Sequence, residues 1–159
     1  MEKKWSNGKI KEKAYISLVR PTVEYASPVW DPYLQKDKYK IEMVQRRAAR
    51  YVTNRYHNKS SVSDMLENLK WQTLEERRTN ARLTMLYKIK KNIEEDHKLI
   101  PTNRKLRNTN SNCFQIPSCN STTRKESFYP RTIQDWNTLP NSVTAASSLE
   151  SFKRILATK

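Results

Sequence analysis

The sequence holds a single glycine, Gly8, in 159 residues. Walker loops, dinucleotide-binding GxGxxG turns and G-x-S-x-G nucleophile elbows each need several glycines, because the backbone must take positive φ or approach a phosphate closely. All three are excluded. Two-residue hairpin turns also draw on glycine, so an all-β sandwich is disfavoured. No apolar run exceeds three residues, which leaves no transmembrane helix and no signal-peptide core and predicts a soluble chain kept inside the cell, in nucleus or cytoplasm. Hydrophobic residues make up 36% of the chain, against ~45–50% in ordinary soluble domains. The length suits one domain or two small ones, and the core must be thin or part of the chain must lie outside it.

Charge of one sign is abundant. Lys and Arg number 31 against 16 Asp and Glu, a formal net charge of +15. Residues 1–60 carry +8, residues 61–100 carry +1 and residues 101–159 carry +6. Positive potential at the two ends attracts polyphosphates through counterion release, and a pI near 9.9 meets the charge criterion for a nucleic-acid partner.

The apolar spacing reads as helical. Tyr15, Leu18, Val19, Val23 and Ala26 recur at steps of three and four between Ile10 and Ser27, as one buried helical face requires. Pro21 interrupts them and predicts a kink or two shorter helices. A second helix runs from Leu34 to Val52. On its wheel Leu34, Ile41, Val44, Ala48, Tyr51 and Val52 share an arc of ~100°, while Arg46, Arg50, Lys36, Arg47 and Lys40 lie on the other side, with Tyr39 and Met43 among the cations. Such sorting docks a helix on a core and turns a cationic stripe outward. Arg50 and Arg46 head this set of phosphate-contact candidates, followed by Arg47, Lys36 and Lys40. Glu42 stands four residues before Arg46, so an ordinary surface pair is the competing use of that arginine.

Ser61-Val62-Ser63-Asp64 and Thr73-Leu74-Glu75-Glu76 match the capping pattern in which each end satisfies the other's N–H, the first more weakly because Asp is shorter. In the helix after Thr73, Leu74, Ala81, Met85 and Ile89 form the seam, widened by Leu86 and Ile93. Arg78 and Arg82 fall inside that seam and must pair with an acid such as Glu75 or reach out to water. From Pro101 to Ser127, Ser, Thr and Asn account for 13 of the residues. This composition predicts a polar loop, with one short strand pair around Cys113–Pro117 and Ser127–Tyr129. A short helix near Thr132–Leu139 and a last one opened by Ser147-Ser148-Leu149-Glu150 complete the chain.

Catalytic and metal constellations are not evident. Cys113 and Cys119 have five residues between them and no second pair, a spacing and count unlike a zinc site, so they read as reduced thiols. Cys113 with His97 and Asp96 carries no nucleophile signature. Glu75-Glu76 suits a helix first turn, and Glu94-Glu95-Asp96 an exposed helix end. No Asp-Asp pair exists for two-metal phosphoryl chemistry. No catalytic residue, metal or cofactor is expected. Of the four tryptophans, Trp30, Trp71 and Trp136 are placed as packing anchors, and Trp5 is undecided between packing and stacking.

Four blocks, LVRPTVEYASPVWDPY (Leu18–Tyr33), VQRRAARYVTNRY (Val44–Tyr56), SSVSDMLENLKWQTLEERRTNARLTMLYKI (Ser60–Ile89) and FYPRTIQDWNTLPNSV (Phe128–Val143), resemble the C-terminal end of reverse transcriptases from non-LTR retrotransposons, jockey-like lineages above all. The likeness runs from about Lys11 to Leu156 and keeps the blocks in order. It implies a helical thumb and a C-terminal extension that grip the template–primer duplex by its backbone. The family's F/Y-A-D-D aspartates and its endonuclease have no counterpart here, and Met1–Trp5 does not match, which suggests a fragment beginning inside or just after the thumb's first helix. The resemblance thus implies no enzyme activity in this chain alone, with DNA or RNA backbone and the polymerase palm as partners.

The expected fold is mainly α: an unstructured start over 1–9, a thumb-like helical bundle over 10–100, a polar loop with a minor strand pair over 101–127, and a C-terminal helical extension over 128–159. The competing expectation is a helical protein-interaction module whose thin core a partner completes.

Overall fold

The computed structural model describes residues 8–57, 60–92, 99–102 and 112–157. The chain is mainly α, and it divides into two compact units, Met1–Arg78 and Thr79–Lys159. The division falls inside a helix, whereas composition placed the change near residue 100. Composition is blind to this boundary because both units draw on one helix: Arg77 and Arg78 pair within the first unit, and Leu83, Leu86 and Tyr87 enter the core of the second.

In the first unit, α1 (Gly8–Ala14) passes through a widened π turn (Tyr15–Val19) into α2 (Arg20–Glu24). Pro21 explains the widening. It has no N–H, and its ring would press on the carbonyl four residues back in a regular helix. The Arg20 N–H instead reaches the Tyr15 carbonyl, an i to i+5 bond. The extra residue shifts the helical phase, so Tyr15 is buried while Leu18, Val19 and Ala26 are exposed, contrary to the single apolar face expected. Ala26 takes a left-handed conformation, φ 50°, and opens α3 (Ser27–Trp30).

The long α4 (Gln35–Thr53) follows and closes on Asn54 at φ 55°, whose N–H bonds the Arg50 carbonyl. Gly8 packs closely against this end: a Cβ at that position would lie 3.1 Å from the Val52 carbonyl oxygen, a tight contact. Beside it the Lys11 ammonium donates to the Tyr51 carbonyl at 3.3 Å, a cation at a helix C-terminus.

Both capping patterns are present. Ser61 caps α5 (Val62–Asn68) by accepting the Asp64 N–H at 3.3 Å. At α6 (Leu74–Asn92) the box is reciprocal: Glu76 N–H donates to Thr73 Oγ1 and Thr73 N–H to Glu76 Oε2, each at 3.1 Å. Ala49, Val62, Met65 and Leu66, edged by Leu69 and Trp71, make a small apolar core.

Polar contacts extend that core. Tyr15 stacks on Trp71 at 4.7 Å, and the Trp71 indole N–H donates to Glu12 Oε1 at 3.1 Å. The Tyr15 hydroxyl donates to Gln45 Oε1 at 3.2 Å, and the Gln45 amide donates to the Gln72 carbonyl at 2.9 Å. Burial pushes the Tyr15 phenol from 10.0 up to about 12. The native state thus holds this proton after the unfolded chain has released it. Its contribution to stability is complete below pH 10 and falls as pH rises from 10 toward about 12. Alkaline unfolding followed by circular dichroism should lose part of this limb in Tyr15→Phe, and absorbance titration should show one phenol ionising after the others.

The two seam arginines of α6 do pair with acids, though not with Glu75. Arg78 is 1% exposed, and its Nε donates to Asp31 Oδ1 at 2.7 Å. Arg82 is buried, with Nη2 3.0 Å from Asp135 Oδ2. Neither uses Glu75, which instead receives Lys38 at 2.6 Å. Arg77 grips the Glu24 carboxylate with two donors, the Nη2 bond being 2.9 Å. Met85, expected in the seam, is exposed, because these pairs and Leu83 and Tyr87 fix which side of the helix turns inward.

In the second unit, α7 (Thr122–Lys125), α8 (Phe128–Asn137), α9 (Asn141–Thr144) and α10 (Leu149–Ala157) follow the 99–102 and 112–121 segments. Phe114, Ile133, Trp136, Leu139, Val143, Phe152 and Leu156 pack with Leu83, Leu86 and Tyr87. The expected pairing of Cys113–Pro117 with Ser127–Tyr129 does not form. Pro101 bridges Phe114 in antiparallel sense, with Thr102 N–H on the Cys113 carbonyl at 3.1 Å and Gln115 N–H on the Ile100 carbonyl at 2.8 Å. Phe128 and Tyr129 are helical instead. Pro130 lies in the first turn of α8, where a missing N–H costs nothing, so this helix starts four residues before the expected Thr132. Ser148, not Ser147, caps α10 through the Ser151 N–H at 3.2 Å. The expectations for residues 1–7, including Trp5, and for 103–111 lie outside the described residues.

Candidate nucleic-acid interface

The candidate site is one side of α4, and its position depends on which side is buried. Gln45, Ala49 and Val52 are the buried residues, while Leu34 and Tyr51, expected in the seam, are exposed. The inward face is therefore rotated by about 80° from the apolar arc, toward Glu42 and Gln45. Polar pairing sets the rotation. Gln45 is held by Tyr15 and Gln72, Lys38 by Glu75, and Glu42 Oε2 accepts the Leu74 N–H at 3.1 Å.

Glu42 thus supplies negative charge at the start of α6, where the helix dipole favours it; the Arg46 charge also acts on it, without a close ion pair between the two among the described residues. Burial pushes its carboxyl above the ordinary range, while the Leu74 N–H and the Arg78 charge pull the other way. The native carboxyl therefore releases its proton after the unfolded one, and its ionisation lowers stability as pH rises from 4.5 to that raised value.

The rotation reorders the five cations. Arg46 moves to the flank: it is half-buried, and its Nε is enclosed with no hydrogen-bond partner among the described residues. Arg50 is half-buried at the edge of the outward side, and its guanidinium has no partner among the described residues. Arg47 and Lys36 are exposed and equally unpartnered among the described residues. Lys40 is exposed and pairs with Asp37 at 3.4 Å, three residues away. The stripe exists, but Arg47 and Lys36 lead it in place of Arg46.

Aromatic rings flank these cations. Tyr39 is 55% exposed on the same side, one turn from Lys36 and Met43. Tyr51 is exposed one turn beyond Arg47, with the Lys11 ammonium 4.6 Å from its ring centroid. The helical wheel places Tyr39 among the cations but Tyr51 in the apolar arc; only the rotation of the helix brings both to one surface. Arg55, just past the helix end, is a further exposed cation that the helical pattern could not include. Trp71 and Trp136 are anchors, as expected, but Trp30 is 40% exposed, with its indole N–H on the Tyr25 carbonyl at 2.6 Å.

Neither Cys113 nor Cys119 is in a disulfide; the first is buried and the second donates to the Pro117 carbonyl at 3.2 Å. Glu94, Glu95, Asp96 and His97 lie outside the described residues. Among the described residues no three His, Cys, Asp or Glu side chains gather as a metal would require, and no helix is long and apolar enough to cross a membrane. No protein-family model, curated protein or solved structure matches the chain.

Proposed function

We infer that this chain binds nucleic-acid backbone without sequence preference, as the thumb and downstream part of a non-LTR retrotransposon RNA-directed DNA polymerase. The four sequence blocks that resemble the jockey-like reverse transcriptases support the origin. The observation that carries the binding is the row of exposed cations on α4, with Lys36 and Arg47 free of partners among the described residues. Phosphate contact neutralises such groups and releases counterions, whatever the base sequence. In this reading the chain itself performs no catalysis, since the family's paired aspartates are absent from it, and it acts where the element's nucleic acid is, in nucleus or cytoplasm.

A triple variant, Lys36→Ala, Arg47→Ala and Arg50→Ala, should weaken binding about equally across unrelated sequences in a filter-binding assay. Unchanged affinity in that variant would reject this face as the binding surface.

The helical interaction module is favoured by a different observation. Leu18 in the π turn, and Tyr25, Val29 and Trp30 between α2 and the end of α3, are exposed, Val29 at 87% and Tyr25 at 81%. A polymerase palm packing there would cover these residues.

A further inference from the structure

We propose that the exposed side of α4 takes single-stranded nucleic acid, its tyrosines stacking on bases while its cations hold the intervening phosphates. The proposal rests on the reading of α4 as a nucleic-acid face and specifies the ligand of that same surface.

The geometry is a helical row. Lys36, Tyr39, Lys40, Met43, Arg47, Arg50 and Tyr51 succeed one another at steps of one to four residues on the side opposite Gln45, Ala49 and Val52. The row runs about 22 Å along the axis, and its two rings are separated by about 18 Å of rise. That separation addresses two different nucleotides and leaves cations before, between and beside them.

A surface that only gripped phosphates would need no rings. The Tyr39 ring has no aromatic or cation contact among the described residues, and its side chain lies where charged residues would be expected. A duplex keeps its base faces inside its own stack and offers a protein mainly backbone and groove edges. A single strand presents base faces, and a positively charged track interleaved with aromatic side chains is the arrangement that uses them. Lys11 adds to this at Tyr51. Its ammonium sits over the ring and bonds the helix-end carbonyl, so a base stacked on the free side of the ring would find a phosphate contact within reach.

Three 5′-fluorescein probes of equal length test the proposal by anisotropy at one salt concentration: oligo(dT), an abasic strand with the same backbone, and a duplex. The wild-type chain should bind oligo(dT) about tenfold or more tightly than the abasic strand. Tyr39→Ala should remove most of that ratio and Tyr39→Phe should keep it, because phenylalanine retains the π face. Circular dichroism should show unchanged helix content in both variants.

Equal affinity of the wild type for oligo(dT) and the abasic strand would overturn the stacking and leave backbone binding standing. So would a Tyr39→Ala variant that keeps the wild-type ratio. Absence of binding to all three probes would overturn the stacking and the underlying nucleic-acid reading together.

Discussion

Asp31→Asn should destabilise the first unit by about 3–5 kcal/mol, the cost of removing one member of a buried ion pair. The Arg78 side chain is 1% exposed and that of Asp31 is 5% exposed, with the Nε–Oδ1 contact at 2.7 Å. Arg78 cannot shed its proton at accessible pH, and its two terminal nitrogens have no hydrogen-bond partner among the described residues. Asparagine keeps the size and one acceptor but leaves the guanidinium buried without its counter-charge. Glu42 is the other acid whose field reaches Arg78, yet its Oε2 is already engaged by the Leu74 N–H. Urea unfolding should show a lower midpoint at unchanged m value. The double variant Asp31→Leu with Arg78→Met should recover most of the loss, since replacing both partners removes the uncompensated charge. A midpoint unmoved by Asp31→Asn would mean that the pair does not hold the unit together.

Trp136→Ala should cost a comparable ~3–5 kcal/mol in the second unit. The ring is fully buried, with centroids 5.7 Å from Phe152 and 6.1 Å from Phe114, and its N–H donates to the Asn112 carbonyl at 2.9 Å. That bond ties the 112–114 segment to α8, as does the Asn137 amide through the Phe114 backbone at 2.8 and 3.0 Å. Alanine removes both the ring and the tie. Trp136→Phe should cost less, because it keeps part of the ring burial and loses the N–H. Thermal unfolding of the three proteins should rank wild type above phenylalanine above alanine. Equal midpoints for alanine and wild type would contradict the role of Trp136 as the anchor of this core.

The parts of the fold that rest on local physics were legible in the sequence. The Thr73–Glu76 box, the Ser61 cap and the widened turn before Pro21 each depend on residues within a turn of one another. Spacing reveals that such positions are special, although Pro21 widens the helix and does not split it. What was not legible depends on distant partners. Arg78 finds Asp31, Arg82 finds Asp135, and the strand bridge joins Phe114 to Pro101, none of which leaves a mark in a helical wheel.

The rotation of α4 shows the same limit in the candidate site. An apolar arc predicts the buried face only when apolar contacts decide it. Here Gln45 and Glu42 are drawn inward by Tyr15, Gln72 and the start of α6. The cationic residues do lie on the outward side, but Arg46 turns to the flank, Arg50 stands at the edge, and Arg47 and Lys36 are exposed.

The most direct test of the central claim is the dependence of nucleic-acid affinity on salt. If Lys36, Lys40, Arg47 and Arg50 each neutralise one phosphate, log K should fall against log salt with a slope of about −3 to −4. A slope near zero at measurable affinity would contradict the account, because binding that releases no counterions is not binding by this row of cations.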